Sequence, residues 1–90
     1  MGKETVLFSS EEKTDTQRVA AFLHQLADKI LEGELRLKQG DEEIVTEIPK
    51  RLVLEVKLED EAKKQRVKRG LEIELEWYVG ESDPGGISLG

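Results

Sequence analysis

From Leu71 to Trp77 apolar and acidic residues alternate without interruption. Leu71, Ile73, Leu75 and Trp77 fall on one parity, Glu72, Glu74 and Glu76 on the other. Successive side chains of a strand point to opposite faces, so period two predicts a β-strand with one dry face and one wet face. Three carboxylates in a row cannot be desolvated beneath an apolar layer, so the wet face stays in water.

The remaining elements follow from the same bookkeeping. Thr5-Val6-Leu7-Phe8-Ser9 is a short β-prone run. Thr14-Asp15-Thr16-Gln17 fits a capping box with Thr14 as N-cap and Gln17 three residues on. The helix is expected from about Asp15 to Glu32, with Val19, Phe22, Leu23, Leu26 and Ile30 forming one apolar stripe. Gly33 is placed to stop it. Glu34 to Gln39 and Glu43 to Ile48 read as strands joined by a two-residue turn at Gly40-Asp41, with Ile44, Thr46 and Ile48 inward. Pro49 has no N–H for a ladder and ends the second of them. Leu52, Leu54, Val56 and Leu58 alternate with Val53, Glu55, Lys57 and Glu59 and open a third strand.

Charges set the register between that strand and the last. If Leu58 faces Leu71, then Lys57 faces Glu72, Asp60 faces Arg69 and Glu61 faces Lys68, each pair opposite in sign. This predicts a long hairpin with its tip at Lys64-Gln65, at the cost of setting Glu55 against Glu74. One apolar helical stripe and one apolar sheet face must cover each other. The expected fold is α+β: a single helix on one face of a four- to five-stranded antiparallel sheet, in the order β-α-β-β-β-β, the N-terminal run supplying the fifth strand. Residues 1–79 are read as one domain and 80–90, Gly-rich with Pro84, as a mobile tail.

Composition narrows the function classes. A chain of 90 residues buries a modest core. It has no cysteine, which removes disulfides, thiolate nucleophiles and Cys-based metal sites. It shows neither a membrane-length apolar run nor the apolar core of a signal peptide, so the expected location is cytoplasmic. A formal charge of −6, with 38% charged residues, favours solubility and disfavours nucleic-acid binding over the whole surface.

Several segments together resemble a known family. These are the β-run Val6 to Phe8, the helix with Ala20 to Leu23 and Leu26 to Lys29, the Gly33 stop, and the alternating strand Leu71 to Trp77. In order and spacing they resemble the amphi-Trp domain family, small prokaryotic domains common in archaea, named for the amphipathic strand and its Trp. The resemblance covers nearly the whole chain except the tail and implies a fold unit of unestablished function. Its signature position falls on Trp77, and it supplies no catalytic residue, ligand or cofactor. The basic hairpin tip lies outside the family pattern.

Candidate chemistry is sparse. Trp77 shares the inward parity of Leu75 and reads as a core plug at the sheet end, or else as a ring lining a pocket there. His24 is the only histidine and has no nucleophile or metal partner implied by spacing. Glu72, Glu74 and Glu76, spaced by about 7 Å, could gather a hard cation loosely, but they read first as a solvated face. Asp41-Glu42-Glu43 lacks the ligand ladder of a calcium loop. Lys63, Lys64, Arg66, Lys68 and Arg69 put five cations into seven residues, either a contact for phosphate or an acidic partner, or solvated charge paired across the hairpin. The run has no interleaved aromatic for base stacking, and the chain has no Gly-rich phosphate cradle.

Three readings result. The first is a non-enzymatic interaction module with a protein partner, acting through a sheet edge or the hairpin tip and able to form a homodimer through that edge. The second is nucleic-acid or phosphate-ligand binding through Lys63 to Arg69. The third, an enzyme, needs a second polar group beside His24 or a carboxylate. No cofactor, metal or membrane partner is expected.

Overall fold

The computed structural model describes residues 2–80. Its fold is α+β, with one helix and four strands: α1 (Thr16–Glu32), β1 (Glu34–Gln39), β2 (Glu42–Glu47), β3 (Val53–Lys63) and β4 (Arg66–Glu76). The strands form two antiparallel ladders, β1-β2 and β3-β4. The chain divides between Ile48 and Pro49 into two units, taken in turn below. No helix among the described residues is long and apolar enough to cross a membrane.

Residues 2–15 form neither helix nor strand. The β-prone run at Thr5–Ser9 therefore contributes no fifth strand. Val6 and Leu7 stay exposed, and intrinsic preference alone does not hold a strand that has no ladder to join. The N-cap is Asp15 rather than Thr14. Asp15 has extended backbone angles, and its carboxylate accepts from the Arg18 N–H at 2.9 Å, so the helix starts one residue later than the capping-box reading sets it. A carboxylate answers both the orphan amides and the positive helix end.

Gly33 ends the helix as expected. Its φ of +88° lies in the left-handed region, and its N–H donates to the carbonyls of Lys29 and Ile30. The chain then enters β1, which pairs with β2 from Glu34↔Glu47 to Gln39↔Glu42 around the Gly40-Asp41 turn. Inward positions alternate as read from sequence: Leu35, Leu37, Ile44 and Thr46 are half-buried. So are Leu26 and Ile30 on α1, which contacts β1. Ile48 is the one buried hydrophobe among the described residues, at 6% exposure. Its N–H donates to the Gly33 carbonyl at 2.8 Å. The outward side carries the solvated pairs Arg36–Glu43 and Lys38–Glu43.

The second unit is a long hairpin. β3 and β4 pair from Val53↔Glu76 to Lys63↔Arg66, with Lys64-Gln65 at the tip. The register is the one the charges required: Leu58↔Leu71, Lys57↔Glu72, Asp60↔Arg69 and Glu61↔Lys68. β4 stops at Glu76, short of Val79, and the chain turns at Val79-Gly80. The apolar parity forms one face, where Leu54, Val56, Leu58, Val67, Leu71 and Ile73 remain 56–65% exposed. Among the described residues the four strands form two antiparallel ladders, one in each unit. Residues 81–90, which include most of the expected tail, lie outside the described residues.

The tip holds one backbone irregularity. Lys64 has φ of +36°, in the region that suits Gly or Asn. Lys64→Gly should stabilise the chain by about 1 kcal/mol. Its midpoint in thermal unfolding by circular dichroism is expected to rise by roughly 4–8 °C. An unchanged or lower midpoint contradicts that assignment of strain.

Candidate functional site

The hairpin gathers the chemistry-bearing residues that sequence singles out, and its antiparallel register sorts them. On the wet face lie Glu55, Lys57, Glu59, Glu61 and Lys63 of β3, with Arg66, Lys68, Glu72, Glu74 and Glu76 of β4. Charge is graded along this face. Cations sit towards the tip, while Glu55, Glu74 and Glu76 sit towards the open end.

The five tip cations do not form one group. Arg69 belongs to the apolar face and makes a bidentate pair with Asp60, Nε to Oδ1 at 2.6 Å and Nη2 to Oδ2 at 2.9 Å. Lys63 lies 3.6 Å from a Glu61 carboxylate oxygen. Among the described residues, no carboxylate comes within ion-pair distance of Lys64, Arg66 or Lys68. The pairing Asp60–Arg69 was legible from register, and it removes Arg69 from any cationic contact surface.

At the open end the carboxylates converge. Glu55, Glu74 and Glu76 bring one oxygen each to within 4.8 Å of one another. The row expected from sequence was Glu72, Glu74 and Glu76, but the register draws in Glu55 across the ladder, while Lys57 approaches Glu72 at 4.0 Å. The signal for Glu55 was present as the like-charged Glu55/Glu74 pairing. Glu74 titrates above the ordinary glutamate range. The hydrogen bond it shares with Glu55 is the largest cause, followed by the charge of Glu76 and a small loss of solvent. A shallow depression of about 250 Å³ runs beside it, lined by Glu55, Val56, Lys57, Glu72 and Glu74. These side chains are exposed, so the cluster could attract a cation only weakly.

Trp77 follows β4 directly and is half-buried. Extending the register by one residue sets Leu52 opposite it, and Leu52 is half-buried too. Burial on the apolar face is thus concentrated at the open end, with Leu75 as third member. His24 lies exposed on α1 and makes no hydrogen bond or ion pair among the described residues.

The model of the Amphi-Trp domain matches residues 1–89. The chain belongs to the Amphi-Trp family. No match was found among curated proteins. None was found among solved structures. In this Amphi-Trp domain β4 alternates apolar and acidic residues from Leu71 to Glu76, and Trp77 continues its apolar parity.

Opposite pH dependences are expected from Glu74 and Asp60. Glu74 takes up a proton more readily folded than unfolded, so repulsion at the open end weakens the hairpin at neutral pH. That deficit is relieved as pH falls through the folded value of Glu74. Asp60 behaves oppositely. The Arg69 hydrogen bond lowers it, so its contribution is present above the ordinary aspartate range and is lost as pH falls through its lowered value. Glu74→Gln is therefore expected to raise the midpoint of thermal unfolding at neutral pH and to lose that advantage on mild acidification. Equal midpoints for native and variant chains at both pH values would contradict the coupling.

Proposed function

We propose that this Amphi-Trp domain is a non-enzymatic interaction module that takes a protein partner by strand addition along the β3–β4 hairpin. One observation carries the reading. β3 and β4 are each eleven residues long and, among the described residues, pair only with each other, so joining them to the other ladder occupies one outer edge of the hairpin and leaves the other open. Such an edge, about 35 Å long, is a template for a further strand. The charged side chains along it guard against indiscriminate pairing and select for a partner of matching charge.

The closed architecture belongs to the same proposal: all four strands in one antiparallel sheet with the helix on its apolar face. An isolated two-stranded hairpin is marginal in water, and the exposed apolar face of the hairpin supports a cover of this kind. The cysteine-free, acidic composition supports a cytoplasmic setting for the module.

The test combines light scattering on the full chain with affinity capture from the native cytosol, followed by hydrogen exchange on the complex. The expected result is a saturable complex in which outer-edge amides of β3 or β4 become protected. A strict monomer that captures nothing would sink the reading.

A second reading, binding of a phosphate-bearing ligand at the tip, draws on Lys64, Arg66 and Lys68. These cations have no ion-pair partner among the described residues, and Lys64 is held in a strained backbone conformation. It requires salt-dependent binding of single-stranded nucleic acid or inorganic phosphate that is abolished by charge reversal at Lys64 and Arg66. Absence of binding at low salt rules it out.

A further inference from the structure

The charges of β4 are segregated about its centre, and two of the three cations mirror acids. Arg66, Lys68 and Arg69 occupy the first half, and Glu72, Glu74 and Glu76 the second, with Leu71 at the midpoint of the eleven residues. The strand is neutral within a chain of charge −6. Its outer edge is open among the described residues, since β3 is its only partner there.

From this we infer that the strand added to the hairpin is β4 of a second copy, antiparallel and centred on Leu71. The inference rests on the strand-addition reading above and names its partner. A two-fold axis perpendicular to the sheet, midway between the Leu71 residues of the two copies, gives an isologous contact that keeps wet face with wet face and dry with dry. Opposing positions then follow by counting outward from Leu71. On the wet face Lys68 meets the partner's Glu74 and Arg66 meets the partner's Glu76, while Glu72 meets glycine at position 70. On the dry face Leu71 meets its own copy, Val67 meets the partner's Leu75, and Arg69, held by Asp60 of its own chain, lies opposite the partner's Ile73. Each favourable pair occurs twice.

Two features of the isolated hairpin are resolved by this arrangement. Glu55, Glu74 and Glu76 crowd together within the chain, and Lys57 beside them is drawn towards Glu59 and Glu72. Arg66 and Lys68 lack carboxylate partners among the described residues. The second copy brings the missing cations to the surplus acids. β3 offers no equivalent. Centred on Leu58, its self-pairing sets Lys57 against the partner's Glu59 but Glu55 against the partner's Glu61, so one attractive pair is offset by one repulsive pair.

Charge exchange tests the register. The full-length native chain is expected to sediment as a concentration-dependent dimer. Lys68→Glu and Glu74→Lys should each weaken self-association roughly tenfold or more, since each replaces two attractive pairs by two repulsive ones. An equimolar mixture of the two variants should recover the dimer, because each then supplies the charge the other lacks. Glu74→Lys guards against misfolding as an explanation: it removes a charge from a repulsive cluster, and its circular dichroism should match the native chain. Failure of the mixture to associate, or rescue of Lys68→Glu by Glu72→Lys in place of Glu74→Lys, overturns the Leu71-centred pairing. A native chain that stays monomeric also overturns it. In that case capture of a different protein with protected edge amides leaves the interaction module standing, whereas failure of both sinks both.

Discussion

Replacing Ile48 by Ala is expected to remove about 2–4 kcal/mol of stability, the largest loss from any single truncation in the domain. Ile48 is the one buried hydrophobe among the described residues, at 6% exposure, so its side chain has the most contact area to lose. A small domain has a total stability towards the low end of about 5–15 kcal/mol. The variant should therefore unfold at markedly lower urea, with an unchanged denaturant slope if unfolding remains two-state. An exposed apolar residue off the apolar stripe of the helix makes the control. Leu31→Ala, at a position 87% exposed, should cost well under half as much. Comparable losses at both positions would mean that the core is placed elsewhere than at Ile48.

Gly33→Ala is the second large effect, about 1–2 kcal/mol. The reason is conformational rather than steric. A Cβ at Gly33 would meet the Ile48 carbonyl oxygen at 3.6 Å, an ordinary contact, but the backbone φ of +88° disfavours any L side chain. Gly33→Asn, which tolerates the left-handed region better, should recover part of the loss. The two sites are coupled through the 2.8 Å bond from the Ile48 N–H to the Gly33 carbonyl. A double variant measured by urea denaturation should therefore cost less or more than the sum of the single losses. Equal costs for Ala and Asn at position 33 would remove the conformational account.

The hairpin was legible in the sequence to the residue because two independent patterns agreed on it. Parity placed Leu54, Val56, Leu58, Leu71, Ile73 and Leu75 on one face, and the pairs Lys57/Glu72, Asp60/Arg69 and Glu61/Lys68 fixed the register. The Gly40-Asp41 turn and the Gly33 stop were legible because their backbone angles suit few residues. The N-cap was misplaced by one position since Thr14, Asp15 and Thr16 are all competent caps, and only the accepted bond from Arg18 separates them. The N-terminal run reads as a strand from Val6, Leu7 and Phe8, yet strand formation depends on a neighbouring edge that local sequence does not encode. The acidic cluster was half legible: parity revealed Glu74 and Glu76, whereas Glu55 entered through the ladder.

The bond between Ile48 and Gly33 also closes a circuit, since it ties the exit of the β1–β2 hairpin to its entrance. Everything between those two anchors can lengthen at its far end without shifting either one, and the entropic cost of a longer loop grows only slowly with added residues. The Gly40-Asp41 bend is thus a natural graft point. A fluorophore or short epitope inserted there would report on the domain while leaving β4 unaltered.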